Sequence, residues 1–254
     1  MRASVRVVRA KRATPEDLLQ KAMLARTIAS RARYAQAGLA SRDLDPTTQA
    51  MLLRQMYLCH FERRRFKKAH ELALQAIELD VLPDVLHQDA ARAAFAAGDV
   101  VVAVEHLRKA AKRSPASRRA FHFWTLGSTL FLAHRYRDAI VALAIAARGS
   151  KGDRKLYRAH LALARIAGGE PVRDLETTIE ALAAAPSGRG YGRFVLGHLL
   201  YAAGEWKAAA RYLSAFVAEL EGGRTAVAIA LEGELRMSRA TLSKMEANRS
   251  RPGT

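Results

Sequence analysis

The chain has 254 residues, half of them apolar, and carries 42 Lys and Arg against 24 Asp and Glu, a formal charge of +18. That length holds one or two domains, or a single repeat array, with ample apolar material for a core. The lone cysteine, Cys59, excludes an internal disulfide and a cysteine-rich zinc site. Alanine and leucine dominate the apolar set while β-branched alternation is scarce, which favours helix. The basic excess is spread along the chain and attracts acidic surfaces: nucleic acid, an acidic protein or an anionic membrane. Genomic bias towards Arg and Ala codons accounts for it equally well. The N-terminus lacks the apolar region of a secretory signal, and no apolar stretch approaches the ~20 residues of a membrane span. A soluble, cytoplasmic protein is expected.

In chain order, residues 1–12 read as a disordered basic tail. Thr14-Pro15-Glu16-Asp17 is a helix start, with Thr as N-cap, Pro at the first helical position and acids in the first turn. It opens a degenerate helical pair over 13–49. A recurring phrase follows, in which an aromatic or aliphatic residue precedes a helix-opening alanine: Arg64-Arg65-Phe66-Lys67-Lys68-Ala69, Gly98-Asp99-Val100-Val101-Val102-Ala103, Arg135-Tyr136-Arg137-Asp138-Ala139 and Gly204-Glu205-Trp206-Lys207-Ala208-Ala209. His134 stands where the second and fourth copies have glycine. A weaker copy runs from Gly169 to Leu175. From Ala69 to Ala103, Ala139, Leu175 and Ala209 the intervals are 34, 36, 36 and 34 residues. About twelve residues before the anchors come Phe123-x-x-Leu126-Gly127-x-x-Leu130 and Leu196-Gly197-x-x-Leu200. Small residues there, with Ala91, allow two helices to pack closely. Pro83, Pro115, Gly149 and Pro186 stop the second helices. Each unit is therefore helix, tight turn, helix, stop, giving five units at 50–83, 84–119, 120–155, 156–189 and 190–221. After Gly222-Gly223, residues 222–247 read as one helix that caps the last unit, and 248–254 as a disordered tail.

These units resemble the tetratricopeptide repeat (TPR), over roughly residues 50 to 218, with the third and fifth matching best. Tyr57 and Leu163 depart from the family's small residue, and Arg193 from its bulky one. The resemblance implies an all-α, right-handed solenoid of helical hairpins whose first helices line a concave, partner-binding face. Carried over position by position, that groove holds Arg54, Leu58 and Phe61; Val85, Gln88, Arg92 and Phe95; Phe121, Trp124, Ser128 and Phe131; Tyr157, His160 and Ala164; and Tyr191, Phe194, His198 and Tyr201. Nine of these are Phe, Tyr or Trp, in a chain with 7% aromatics. Such a trough suits an amphipathic helix or an extended peptide, with Arg54 and Arg92 pairing acidic groups beside apolar anchors. A one-residue shift of register would instead send several aromatics into the core. The carboxylate clamp of chaperone-binding members is absent: Arg54, Gln55, Leu58, Asp89, Phe121 and Thr125 occupy its places.

The eight histidines show no metal-ligand spacing, and His60, His70, His87 and His106 sit at helical positions of the structural or solvated kind. No phosphate loop and no nucleophile with a base and orienter is apparent, so neither catalysis, a cofactor nor a metal is expected. Basic clusters at Arg63–Lys68 and at Lys109–Arg119 read as solvated rims, with phosphate binding as the alternative. Residues 235–252 are similar to the recognition-helix end of repressor-type helix-turn-helix domains, which would set Arg239, Thr241 and Lys244 in a major groove. The leading expectation is a non-catalytic adaptor or scaffold that holds a peptide or helix of a partner protein in its groove. The alternative is a nucleic-acid-binding or regulatory protein.

Overall fold

The computed structural model describes residues 13–185 and 190–249. The tail expected at 1–12, residues 250–254 of the tail expected at 248–254, and the stop at Pro186 lie outside them; residues 248 and 249 instead continue the last helix. The described residues form fourteen helices and no strand.

An N-terminal pair, α1 (Pro15–Leu24) and α2 (Ile28–Leu39), precedes five hairpins. These are α3 (Pro46–Glu62) with α4 (Phe66–Ile77), α5 (Pro83–Ala96) with α6 (Val100–Arg113), and α7 (Ala116–Leu132) with α8 (Tyr136–Gly149). Then come α9 (Arg154–Ala167) with α10 (Leu175–Ala183), and α11 (Tyr191–Ala202) with α12 (Trp206–Glu221). Two further helices, α13 (Thr225–Ala230) and α14 (Glu232–Arg249), end the described chain. Helix α1 starts as its sequence dictates. The Thr14 hydroxyl accepts from the Asp17 N–H, and the Asp17 carboxylate accepts from the Thr14 N–H, a complete capping box behind Pro15.

One device turns every hairpin. Arg64, Gly98, His134, Gly169 and Gly204 all take positive φ, between 56° and 89°. At each, the next residue's N–H reaches back to a carbonyl of the first helix: Arg65 to His60, Asp99 to Ala94, Arg135 to Leu130, Glu170 to Arg165, Glu205 to Leu200. This is the left-handed helix terminus that glycine favours. Arg64 and His134 adopt it without glycine, with the same returning backbone hydrogen bond.

Side-chain size sets how closely the two helices of a hairpin approach. Ala69, Ala103, Ala139 and Ala209 are all fully buried. A Cβ on Gly127 would lie 2.5 Å from Leu143 Cγ, and one on Gly197 would lie 2.5 Å from Leu213 Cγ. In these two hairpins the leucine of the second helix fills the space that the glycine leaves.

The C-terminal segment departs from the expected single cap. Only the second half of α14 covers the last unit, through Leu242 and Met245 against Leu200, Ala209 and Leu213. The segment before it breaks at Leu231 into two helices and returns along the concave side. Helix α13 packs on α3 and α5, the first helices of units one and two. Its Ile229 belongs to the apolar core built by α1 to α5, whereas Leu235 belongs to the core of units two to five. Ile229, Leu235 and Met245 thus anchor one short segment in three separate cores. Arg64 pairs with Glu232 across 168 residues of sequence, and Gly233 lets α14 approach Leu132 of α7.

Gly127→Ala tests the packing rule. Alanine improves local helix propensity by ~1 kcal/mol. The clash with Leu143 outweighs it, so a net loss of about 1–3 kcal/mol is expected in urea denaturation.

Candidate partner-binding groove

The concave row is held together by polar ties between successive first helices. The Arg54 guanidinium on α3 donates to Asp89 on α5. Asp84, at the start of α5 and 1% exposed, receives Arg118 Nε at 2.9 Å and His122 Nε2 at 3.0 Å from α7. Ser128 of α7 lies 3.4 Å from His160 Nδ1 of α9. A buried carboxylate is tolerable only when paired, which Asp84 and Asp89 achieve through these cations.

Beside this ladder lies a cavity of about 140 Å³. Gln88, Arg92 and Phe95 of α5, Phe121, Trp124 and Ser128 of α7, and Tyr191 of α11 form its floor and walls. Ala230, Leu231 and Glu234 form its roof. The aromatic wall is continuous: the Trp124 ring stacks on Tyr157 at 5.5 Å and meets Tyr191 edge-on at 4.9 Å, with Phe121 5.9 Å away. Phe121 is 40% exposed and marks the mouth.

Fourteen of the eighteen positions expected in the groove divide into three sets; of the other four, Ser128 lines the cavity, Ala164 is buried, and Leu58 and Val85 are half-buried. Gln88, Arg92, Phe95, Phe121, Trp124 and Tyr191 meet around the cavity. Phe61, Phe131, Tyr157, His160, Phe194 and His198 are buried in the core. Phe131 packs edge-on against His160 at 5.3 Å, and Phe194 against Phe216 of α12 at 5.6 Å. Those positions face neighbouring helices of the array, so no partner reaches them in this structure. Of the remaining two, Arg54 is engaged by Asp89 and Tyr201 packs half-buried at the last unit. Leu231 and Glu234 were not expected at the groove at all. Their signal is an apolar run, Val227 to Leu231, followed at once by acids, and it says nothing of where the segment docks.

Among the ionisable groups here, burial acts in both directions. It pushes His160 down to about 3 and His198 down to about 4, so both are neutral near pH 7. It pushes the Glu234 carboxyl up to about 7, although Tyr191 Oη donates to it at 3.1 Å. The second oxygen of Glu234 and the Trp124 Nε1 have no hydrogen-bond partner among the described residues. Elsewhere His70, His87 and His106 meet where α4, α5 and α6 adjoin, with the ring nitrogens of His87 and His106 3.0 Å apart. Among the described residues no three such side chains are placed to hold a metal ion, and no helix is long and apolar enough to cross a membrane.

Opposite pH responses follow, because the folded chain favours the protonated carboxyl of Glu234 but the unprotonated rings of the two histidines. Glu234 holds its proton more tightly seated than free. Its contribution is full below the free-chain value of 4.5 and is lost as the pH rises through about 7. The depressed histidines contribute above their free-chain value of 6.5 and lose that contribution as the pH falls towards about 4 and 3. Glu234→Gln is therefore expected to raise the melting temperature more at about pH 8 than at about pH 5. Wild-type melting followed across that range checks both signs.

No family model matches the chain, and no curated protein matches it. Among solved structures, PilF of Pseudomonas aeruginosa, a TPR-containing protein, superposes with a TM-score of 0.53 at 20% identity. The match covers 82% of this chain and 95% of that one. The likeness is one of fold: the chain is an all-helical, TPR-like solenoid.

Proposed function

We propose that the chain is a non-catalytic adaptor whose concave groove holds a peptide or helix of a partner protein. The observation that carries this reading is the cavity of about 140 Å³ walled by Phe95, Phe121, Trp124 and Tyr191, with Arg92 at its edge. Aromatic and arginine side chains around a desolvated pocket are where binding energy concentrates. The pocket takes one apolar or aromatic anchor, and Arg92, only loosely tied to Asp89 at 3.4 Å, meets an acid beside it. A TPR-like fold is consistent with protein partners in general.

Phe121→Ala combined with Arg92→Glu is the informative variant. Replacing Tyr157 or Phe194 would disrupt the core, because they are 3% and 0% exposed. Proteins recovered with the wild-type chain should fall at least ~30-fold with the variant, the ~2 kcal/mol of a typical hot spot. Unchanged recovery with an unchanged melting temperature counts against the groove.

A second reading, nucleic-acid binding, is favoured by a basic face on units three and four. Arg154, Arg158, Leu161 and Arg165 fall on one side of α9, and Arg148 and Arg173 line the adjoining clefts. The helix-turn-helix resemblance adds little, because Thr241 is buried and Arg239 pairs with Glu221. If this face binds duplex DNA, Arg158→Glu with Arg165→Glu should reduce the slope of log affinity against log salt by about 2. An unchanged slope would remove it.

A further inference from the structure

The curvature of a repeat array gives it an extended concave binding surface, and here the chain's own C-terminal segment occupies it. Helix α13 lies on α3 and α5, Gly233 lies against Leu132 of α7, and Glu234 lies against Tyr191 of α11. The segment touches first helices from the first unit to the last.

Its seat is poor in a specific way. Apolar anchoring at the groove end comes from Ile229, Leu231 and Leu235. Between and after them, beside the half-buried Met237, polar groups are turned inward: Glu234 and Ser238 are 3% and 0% exposed. Removing a carboxyl and a hydroxyl from water opposes docking unless each is fully hydrogen-bonded. Glu234 gains one bond, from Tyr191, and Ser238 Oγ finds no partner among the described residues. The tie from Arg64 to Glu232 is about half exposed at both ends, where ion pairs contribute little. Helix α13 has six residues, too few to hold itself without packing. A cavity stays open beneath the junction of the two helices. The segment is thus a helix–break–helix with three aliphatic anchors around two acids, lying on a surface that it fills incompletely.

We propose that α13 and the first half of α14 are a built-in occupant of the concave groove. They give way to a partner helix of the same pattern, aliphatic anchors around two acids. This rests on the groove reading above and names the partner's chemistry. The partner's anchors replace Ile229, Leu231 and Leu235, and its acids face Tyr191 and Arg64, as Glu234 and Glu232 do. The second half of α14 stays on α11 and α12, so release does not uncover the last unit's apolar end.

Hydrogen exchange on the full wild-type chain tests whether the seat opens. Amides of residues 225–238 should exchange through openings at least ~100-fold more often than those of α7 and α8. A labelled synthetic peptide with the sequence of residues 224–240 then tests what the vacated groove accepts. The full chain carrying Ile229→Asp and Leu231→Asp, which loosen only the groove end, should bind it at least tenfold more tightly than wild type does. Exchange as slow as in α7 and α8, or equal binding of the peptide by both chains, overturns the proposal. Either result leaves the groove reading standing, since a partner can still enter at Phe121 with the segment in place. Fast exchange and tighter peptide capture by the loosened chain support the proposal, whereas unchanged partner recovery with the Phe121→Ala and Arg92→Glu chain counts against the groove reading and, with it, the partner named here. The exchange measurement needs no substitution, so a variant that fails to fold does not remove the test.

Discussion

The close approach of two helices at a missing side chain is the constraint on which the molecule depends. Gly127 and Gly197 leave room for Leu143 and Leu213, and the buried alanines near the start of four of the five second helices do the same from the other side. Once the two helices of a unit lie this close, the turn between them has few solutions. The left-handed residue recurs at 64, 98, 134, 169 and 204, intervals of 34, 36, 35 and 35. A fixed turn then fixes the angle at which each unit meets the next, and a repeated angle generates the solenoid.

Much of this was legible in the sequence because it is local. The anchor alanines, the Leu-Gly pairs and the capping box at Thr14 act within one or two helices, and each appears where its chemistry requires. Assigning aromatics to the groove was harder. Phe121 and Trp124 line the cavity, while Phe131 and Phe194, on the same faces of their own helices, fill the core. Periodicity identifies the buried stripe of a helix, but where successive first helices curve towards one another that stripe broadens. The position of α13 and α14 was not legible, because no spacing rule links Glu232 to Arg64 or Glu234 to Tyr191.

The polar ties along the first helices have a cost and a use. Asp84, Asp89, His122 and His160 are removed from water, and the pairs they form mainly offset that desolvation. What they add is register. Arg54 reaches only Asp89, and Asp84 receives both Arg118 and His122, so sliding one unit past its neighbour strands a charge. An alanine-rich interface, smooth and repetitive, lacks that discrimination by itself. The same ties engage Arg54 with Asp89, while Arg92 is the cation that lines the cavity.

Linear arrays of repeats unfold in pieces, since each unit touches only its neighbours and the ends fray independently. Here Ile229, Leu235 and Met245 connect the first core to the last through a single stretch of backbone. That connection closes a loop in the network of contacts, so losing the first unit removes a support from the fifth. Contacts spanning this much sequence also form late, because the chain between them must first be ordered. The segment that couples the ends is therefore the last to arrive in folding. While it is in place, the array melts as one cooperative body instead of a row of five.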